Sequence, residues 1–508
     1  MTRIIDLPAS DAKAHFLKGS SYFRDDVPPY ISFEPIIAGV AEIMGERQYT
    51  DYQATIVKPG SDKTVPAKPA DFARVNYHFI SNKDGRFGWR PYELIHPVIY
   101  VSLVNVICDQ TNWESIARRF KELEGGIVEC CSVPVRSMDH QSDKAAQVRG
   151  WWLEYEQKSL VLSLQFTHLL HTDVTDCYGA LYTHSIAWAL HGYDEAKIGK
   201  TDKSLLGNKI DRHIQASRFG QTNGIVQGSV LMDVIAELVL AYVDREIDNT
   251  LKEKDDIRIL RYRDDYRIFA MSDRRAEEVL KVVSDCLRRV GMRLGVEKTS
   301  MSTNVVEASI KPDKRAGIEL HDMDIAQAKS IQKQLLRLHA FGRRFPNSGA
   351  LKRLSAEALE RMEAITEKPD DLEVQIAIVT DIAATSPQAF PALAGILSHL
   401  ISHANGDEKE ALWGKVARKM KKIPHNGYLD IWLQRVTVPL GITFDSDEAI
   451  CKIVSGDAAT LWNSDWLDNA NLSEGLDVSK IVIGQASESK PTMEPKEVEL
   501  FTINAEFS

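Results

Sequence analysis

The chain has 508 residues, of which 44% are hydrophobic and 26% are charged, as in ordinary soluble globular proteins. That length suits two or more domains, each large enough for a core of its own. A net charge of −10 argues against a broad surface that coats nucleic acid, so any DNA path must be a local basic channel.

The apolar segments and the cysteines predict where in the cell the protein is located. The longest apolar stretch, Pro97 to Cys108, is too short to span a bilayer, and Met1 to Ser10 lacks the design of a signal peptide. We therefore expect a cytoplasmic protein with no membrane contact. Reduced thiols fit that location, since no metal-type spacing is seen among the six cysteines: Cys108, Cys130, Cys131, Cys177, Cys286 and Cys451.

Residues 1–150 mix short helices with a polar loop at 58–71 and the apolar stretch at 94–107. We predict that they form an N-terminal region of their own. Arg86 and Arg90 are the basic residues there that could line a DNA path, and Arg90 is a candidate nucleotide-binding residue.

Residues 151–320 alternate strand and helix patterns and hold the site motifs, as a palm would. The apolar run Leu160 to Phe166 leads into His171 to Tyr178 and predicts a strand that ends in Asp173. Tyr178 is expected under the sugar of an incoming nucleotide, where its ring would exclude a 2′-hydroxyl. A plain strand-to-helix turn, with Asp176 as the cap, is the alternative.

A glycine-containing loop, Gln221 to Ser229, precedes the long helix predicted over Val230 to Val243. Glycines at the mouth of a helix let backbone amides approach a ligand, and the helix N-terminus favours anionic groups. We predict that this loop lines the position of the nascent base pair through Gln227, Gly228 and Ser229. An ordinary loop with a capped helix is the alternative.

An acidic pair, Asp264 and Asp265, stands in the stretch Ile257 to Ala270 between aromatic and β-branched residues, a pattern typical of a tight hairpin. Such dense negative charge suits two divalent metals about 3.5–4 Å apart that clamp the oxygens of a phosphoryl transfer. A third carboxylate is needed to bridge both ions, and Asp173 is the candidate. We expect two Mg²⁺ or Mn²⁺ ions on these three aspartates, with Val174 also among the metal ligands. A solvated or salt-bridged turn is the alternative.

Further basic residues follow around and after the hairpin. Lys298 is predicted to reach a triphosphate or to protonate the leaving pyrophosphate, with a surface lysine as the alternative. Arg261, Arg263 and Arg267 are candidates for the DNA path, unless they pair with the hairpin's own carboxylates. The basic run from Lys415 to Lys422 is interpreted as a solvated helix face.

From about residue 325 the pattern becomes helical, with prolines at the breaks between helices. We predict an all-α, HEAT-like helical-repeat domain over 321–484 and a flexible tail over 485–508. The fold class is therefore α+β, with strands and helices up to about residue 320 and an α-helical domain after them.

The order of these motifs resembles the palm of reverse transcriptases. The resemblance implies a right-hand polymerase fold, in which residues 1–150 form an N-terminal extension and reverse-transcriptase-like fingers and residues 151–320 form the palm. The likeness narrows to the bacterial abortive-infection polymerases of the AbiK-like group, although Val226, Val230 and Asp233 stand where retroviral and intron enzymes carry prolines. The segments that carry the narrower resemblance are Asp26–Phe33, Arg90–Pro97, Tyr182–Leu190, Gln221–Gly224 and Arg261–Phe269.

The resemblance implies phage defence and synthesis of DNA from dNTPs without a template, primed on a protein tyrosine. Single-stranded DNA would then stay covalently attached, and the chain would form a homo-oligomer, a trimer or a hexamer. Candidate priming residues lie in the N-terminal region, where a flexible primer could reach the site: Tyr22, Tyr30, Tyr49 and Tyr52.

Three other functions are compatible with the sequence. One is a reverse transcriptase that copies a partner non-coding RNA. Another is a non-catalytic protein that uses a polymerase fold to sense a phage component. The last is a nuclease, since sites with two metals also cleave nucleic acids.

Overall fold

The computed structural model describes residues 2–498, with gaps at 59, 61, 137–149, 319–329, 366, 425–426, 469–471 and 473. None of the helices in the described part of the chain combines the length and the apolar character needed to cross a bilayer.

The N-terminal region joins short strands to a helical core. Its strands are β1 (Thr2–Arg3), β2 (Thr55–Val57), β3 (Thr64–Pro66), β4 (Tyr77–Asn82), β5 (Trp89–Leu94), β6 (Val128–Cys130) and β7 (Val135–Arg136). Its helices are α1 (Ala9–Phe16), α2 (Gly19–Tyr22), α3 (Glu34–Met44), α4 (Pro97–Ile107) and α5 (Gln110–Leu123).

Helix α4 is the predicted apolar stretch, and all of its residues are buried. Pro97 occupies its first turn, where a missing N–H costs nothing, and the His96 side chain accepts a hydrogen bond from the Val98 amide. Such a helix is apolar all round because it lies inside the protein and not in a membrane.

The central region contains the expected alternation of strands and helices. Its strands are β8 (His168–Thr175), β9 (Ile257–Tyr262), β10 (Asp265–Ala270), β11 (Arg293–Leu294) and β12 (Ser300–Ser302). Its helices are α6 (Lys158–Leu162), α7 (Cys177–Ala180), α8 (Ser185–His191), α9 (Tyr193–Ile198), α10 (Leu206–Ser217), α11 (Val230–Thr250), α12 (Asp273–Arg289) and α13 (Val305–Ser309).

The strand predicted over Leu160 to Phe166 is wrong. Lys158–Leu162 forms α6, and the strand that carries Asp173 begins only at His168. Val161 and Leu164 are 63% and 87% exposed, so the apolar letters of this run do not mark a buried strand.

One sheet carries the site, in the order β11-β8-β10-β9-β6, with β12 also paired to β8. Strands β8, β9 and β10 are antiparallel, whereas β6 is parallel to β9. Helices α11 and α12 cover one face. A second apolar cluster, distinct from the main core, contains Tyr155, Phe166, Leu169, Leu260, Phe269 and Val305.

The C-terminal half is helical: α14 (Ile331–Arg344), α15 (Gly349–Met362), α16 (Leu372–Thr385), α17 (Phe390–Ser402), α18 (Gly406–Met420), α19 (Gly427–Thr437) and α20 (Ala449–Val454). Helix α14 packs on α16, α15 on α17, α16 on α18, and α17 on α19. Each helix thus contacts the next but one, and a HEAT-like repeat remains a prediction.

The helical half also holds the hairpin formed by β4 and β5. The Asn82 side-chain amide donates to the Pro424 carbonyl at 3.2 Å. Gly85, at the tip of the hairpin with φ of 73°, lies so close to α16 that a Cβ there would be 2.1 Å from the Ala384 carbonyl oxygen. Any residue larger than glycine would therefore separate the tip from the helical half.

The last third of the predicted repeat domain leaves the helices and returns to the N-terminal region. The Trp462 indole N–H donates to the Leu94 carbonyl at 3.1 Å, and Ile31 forms an antiparallel bridge with Val482. The predicted domain boundaries therefore do not separate this segment from residues 1–150 in space.

The predicted flexible tail is packed over its described part, residues 485–498. Met493 is fully buried, and its amide donates to the Ser398 hydroxyl at 2.9 Å. Arg435 and Glu497 form a buried ion pair at 2.8 Å. Polar letters and prolines suggested mobility, but Met493 and Glu497 anchor the segment; residues 499–508 lie outside the described part.

Replacing Glu497 with Gln should lower stability by about 3 kcal/mol, because Arg435 would be left as a buried charge without its carboxylate. Thermal unfolding followed by circular dichroism measures the effect. The matched control is Glu488→Gln, an exposed residue of the same segment, which should leave the midpoint unchanged. Equal midpoints for the two variants would contradict a packed tail.

Candidate active site

The three predicted metal-binding aspartates lie together at one end of the central sheet. Asp265 begins β10 and is paired directly with Asp173 of β8 across the sheet. Asp264 lies in the turn between β9 and β10, and its carbonyl accepts a hydrogen bond from the Val174 amide at 2.9 Å. Arg263, also in this turn, has φ of 55°, a left-handed conformation that non-glycine residues adopt rarely.

Burial destabilises the charged form of these carboxylates. It raises the pKa of Asp265 to about 6, and the neighbouring charge of Asp264 adds to the effect. Burial is also the main cause that raises the pKa of Asp264, while Arg263 opposes it. A bound cation would relieve this repulsion, which is the electrostatic property expected of a metal site.

Lys298 supplies part of the missing positive charge. Its ammonium group contacts the Asp173 carboxylate, although the rest of the side chain is exposed. Burial lowers the pKa of Lys298, but the hydrogen bond to Asp173 and the charge of Asp264 outweigh it, so the pKa is raised. Lys298 is thus an exposed lysine that pairs with the aspartate cluster, and its contact with a triphosphate remains a prediction.

Gly295 allows the close approach of this segment to Asp173. Its amide donates to the Asp173 carbonyl at 2.8 Å, and a Cβ at this position would lie 2.4 Å from an Asp173 carboxylate oxygen. Only glycine leaves space for the carboxylate here, a constraint that the sequence does not display.

The carboxylates fit divalent ions by donor type, because Mg²⁺ prefers oxygen ligands. Among the described residues, no group of three or more His, Cys, Asp or Glu side chains is arranged so that it could hold a metal ion. Asp173 is instead paired with Lys298. Ions would be held by Asp173, Asp264 and Asp265; Val174 is buried beside Asp173, and its role as a ligand remains a prediction.

The glycine-containing loop leads into α11 as predicted. Gly228 has φ of 121°, and the Ser229 hydroxyl caps the helix by accepting from the Met232 amide at 3.4 Å. The loop is joined to α7 and its flank, because the Ile225 amide donates to the Tyr178 carbonyl at 2.8 Å. Gln227 is half-buried, and its contact with a base pair remains a prediction.

The position of the Tyr178 ring is fixed by a hydrogen bond of its hydroxyl group. The hydroxyl donates to a carboxylate oxygen of Asp233 at 2.6 Å. Asp233 is buried and also contacts Arg24 and Arg263, so it links α11 to the hairpin turn. Asp233 stands where retroviral and intron reverse transcriptases carry a proline. The residues around it in the sequence did not indicate that it would contact Tyr178, Arg24 and Arg263.

Two of the arginines predicted for the DNA path are inside the protein. Arg261 is fully buried and pairs with Glu237 at 2.8 Å and with Asp244 at 2.8 Å, both on α11. Arg267 is 2% exposed and stacks on the Tyr155 ring at 4.3 Å. They connect the sheet to its covering helices and do not face a nucleic acid.

The hairpin of β4 and β5 brings a basic residue to the site that sequence reasoning missed. Burial and the charges of Arg90 and Lys298 lower the pKa of Lys83, while Asp264 and Asp176 oppose the shift. Lys83 therefore lies within electrostatic range of the aspartates. Lys83 directly precedes the turn-forming pair Asp84-Gly85, and this was the feature of the sequence that could have indicated a lysine near the tip of a hairpin. Arg86 is exposed, and Arg90 is half-buried.

The four candidate priming tyrosines pack within the N-terminal region. Tyr22, Tyr30 and Tyr52 are 3–4% exposed, and the Tyr22 hydroxyl donates to the Ile95 carbonyl. Tyr49 packs edge-on against His213. Burial raises the pKa of Tyr22, Tyr30 and Tyr49, which makes each phenol a poorer nucleophile in this conformation. Their priming role remains a prediction.

All six cysteines are free thiols.

Replacing Gly295 with Ala should weaken Mn²⁺ binding about tenfold, because the added methyl group would displace the Asp173 carboxylate. Electron paramagnetic resonance of free Mn²⁺ measures the affinity. Gly414→Ala is the matched control, since a Cβ there meets no atom within 4 Å. Equal Mn²⁺ affinity in the two variants would contradict the proposed position of Asp173.

Comparison with known proteins agrees with this geometry. The family profile described as reverse transcriptase (RNA-dependent DNA polymerase) matches residues 101–333. No curated protein sequence matches the chain.

Solved structures show weak similarity. A C-terminally truncated apo telomerase from Candida tropicalis has 15% identity and a TM-score of 0.24, over 37% of this chain and 39% of its own. Apo telomerase from the same organism has 12% identity and a TM-score of 0.31, over 78% and 72%. Telomerase from Candida albicans bound to a fragment of telomeric RNA has 11% identity and a TM-score of 0.29, over 73% and 68%.

This chain thus spans 39% of the first of these structures, and similarity at these TM-scores defines neither its fold nor its activity. The profile match covers every residue of the aspartate cluster, including Lys298 and the glycine-containing loop. Residues 101–333 of the chain therefore contain a reverse transcriptase domain.

Proposed function

We propose that the protein is a DNA polymerase of the reverse transcriptase type that joins dNTPs by nucleotidyl transfer with two divalent metals. The observation that carries this proposal is the pairing of Asp265 with Asp173 across the sheet, with Asp264 in the adjoining turn. A solvated turn would not bury such carboxylates beside one another without a fixed counter-ion.

The residues around the aspartates suit a triphosphate. Lys298 pairs with Asp173, and Lys83, on the hairpin of β4 and β5, is within electrostatic range of Asp264. In this proposal Tyr178 would contact the sugar and Gly228 the base of the incoming nucleotide. Mg²⁺ or Mn²⁺ ions held by the aspartates would activate the attacking hydroxyl and stabilise the leaving pyrophosphate.

Template-independent synthesis is the finer part of the proposal. It rests on the resemblance to abortive-infection polymerases, which also implies phage defence, a homo-oligomer and a cytoplasmic location. The helical half contacts the rest of the chain: Gly85 of the hairpin lies against Ala384, and the Ser348 hydroxyl, just before α15, donates to Asp313 at 2.7 Å.

Protein priming requires a hydroxyl that can enter the site. Tyr22, Tyr30 and Tyr52 are buried and Tyr49 is half-buried, so each could serve only if the N-terminal region opens locally. Tyr193 is 48% exposed on α9 and is an additional residue to test by mapping the attachment site.

RNA-templated synthesis is the second candidate function, and one feature favours it. The hairpin tip exposes Phe87 by 83% and Trp89 by 44%, and Arg86 lies beside them. Exposed aromatic rings with a neighbouring arginine are typical of surfaces on which single-stranded bases stack. A partner RNA strand could occupy that surface as a template.

Incubation of the purified protein with Mg²⁺ or Mn²⁺ and each labelled dNTP, without primer or template, tests the proposal. Label should migrate with the protein on a denaturing gel and be lost on DNase treatment. Asp264→Asn should reduce incorporation by at least about 10²–10³-fold, the scale for loss of a group that stabilises reacting charge. Asp194→Asn, an exposed aspartate on α9, is the matched control.

Each outcome of this experiment selects one function. Extension only of an added primer on an RNA template would favour the templated polymerase over untemplated synthesis. Full incorporation by Asp264→Asn would overturn the assignment of the aspartates. Silence under every condition would overturn the polymerase and favour a binding protein.

Replacing Lys83 with Ala should raise the KM for dNTPs about tenfold with a smaller change in kcat, because a positive charge near the triphosphate would be lost. Steady-state incorporation kinetics measure both constants. Lys121→Ala, on the exposed face of α5, provides the control. An unchanged KM would show that the hairpin does not contact the nucleotide.

A further inference from the structure

Asp233 is a buried acid that contacts several parts of the site without being one of its metal ligands. It lies in the first turn of α11, directly after the glycine-containing loop, and is 1% exposed. A carboxylate so deeply buried is costly unless it is paired and hydrogen-bonded, so its partners show what it holds in place.

One partner is the tyrosine expected under the sugar. The Tyr178 hydroxyl donates to Oδ1 of Asp233 at 2.6 Å. A phenol ring can tilt and swing about its two side-chain torsions, but a strong hydrogen bond at its far end fixes both. Burial and the Asp233 charge raise the pKa of Tyr178, so the phenol stays protonated and keeps donating.

A second partner belongs to the turn that carries the metal-binding pair. Arg263 Nη2 lies 3.3 Å from Oδ2 of Asp233, and the Arg263 amide donates to the Ser132 hydroxyl at 2.7 Å. Arg263 holds the left-handed conformation of the turn next to Asp264. Asp233 therefore joins the tyrosine and the metal-binding turn through opposite oxygens of one carboxylate.

The third partner braces the glycine-containing loop. The Arg24 guanidinium contacts Oδ2 of Asp233, while the Arg24 amide donates to the Gly228 carbonyl at 2.9 Å. One residue of the N-terminal region thus holds both the carboxylate and the loop that precedes it. Two arginines around one carboxylate also give this group a net positive charge beside the aspartate cluster.

We propose that Asp233 is a positioning residue that sets the preference for deoxynucleotides by holding the Tyr178 ring in the plane that excludes a 2′-hydroxyl. The proposal rests on the proposed polymerase function and deepens it. Asp233 itself touches neither the sugar nor the metals in this arrangement, and it acts through the tyrosine hydroxyl.

The test measures kcat/KM for a dNTP and for the matching rNTP in the full-length protein and reports their ratio. Asp233→Asn and Tyr178→Phe should each lower the preference for dNTP about tenfold, because each weakens the same contact. The double variant should show no further loss, since the two residues act as one unit. Asp244→Asn is the matched control: it is also a buried, arginine-paired carboxylate on α11.

Asp244→Asn should keep the wild-type ratio even if its melting temperature falls, which separates positioning from general stability. A wild-type ratio in either Asp233→Asn or Tyr178→Phe, or effects that multiply in the double variant, would overturn the role of Asp233 and leave the polymerase intact. If Asp233→Asn does not fold, the ratio of Tyr178→Phe decides alone. A wild-type protein that incorporates neither nucleotide would overturn the proposed function itself.

Discussion

The repulsion among three carboxylates at the end of one sheet is the constraint on which the rest of the structure depends. Register pairs the half-buried Asp265 with the buried Asp173, and the turn adds the half-buried Asp264, so negative charge collects at one place. The sheet does not supply the balancing charge. It comes from Lys298 after the palm helices and from Lys83 of the hairpin of β4 and β5. Segments far apart in the chain are thereby brought to one point.

Sequence reasoning located the parts of the site whose local structure is determined by residues adjacent in the chain. The Asp264-Asp265 pair between strand-forming residues specifies its own hairpin, and Ser229 specifies the start of α11. Lys298 was found because it follows a recognisable helix end. The fold class followed because the alternation of strands and helices, and then helices alone, is a property of residues close in sequence. The finer description as a helical repeat was not confirmed.

What could not be predicted depends on partners distant in sequence. Arg261 reads as a surface arginine beside the hairpin, but its carboxylates lie on α11, and only the packing of that helix beneath the sheet reveals them. The run from Leu160 to Phe166 has the apolar letters of a strand, whereas its first part continues a helix. The sequence of the tail is polar and predicted mobility. In the structure, however, Met493 is hydrogen-bonded to α17 and Glu497 is paired with Arg435 of α19.

The contact between Gly85 and Ala384 has a thermodynamic consequence. The hairpin that carries Lys83 rests on α16, so a shift of the helical half would move the hairpin as well. If Lys83 contacts the nucleotide as proposed, a molecule that binds the helical half and shifts α16 would change the affinity for nucleotide. Because such coupling is reciprocal, bound nucleotide would change the affinity for that molecule by the same factor. A surface far from the aspartates would then respond to the occupancy of the nucleotide site.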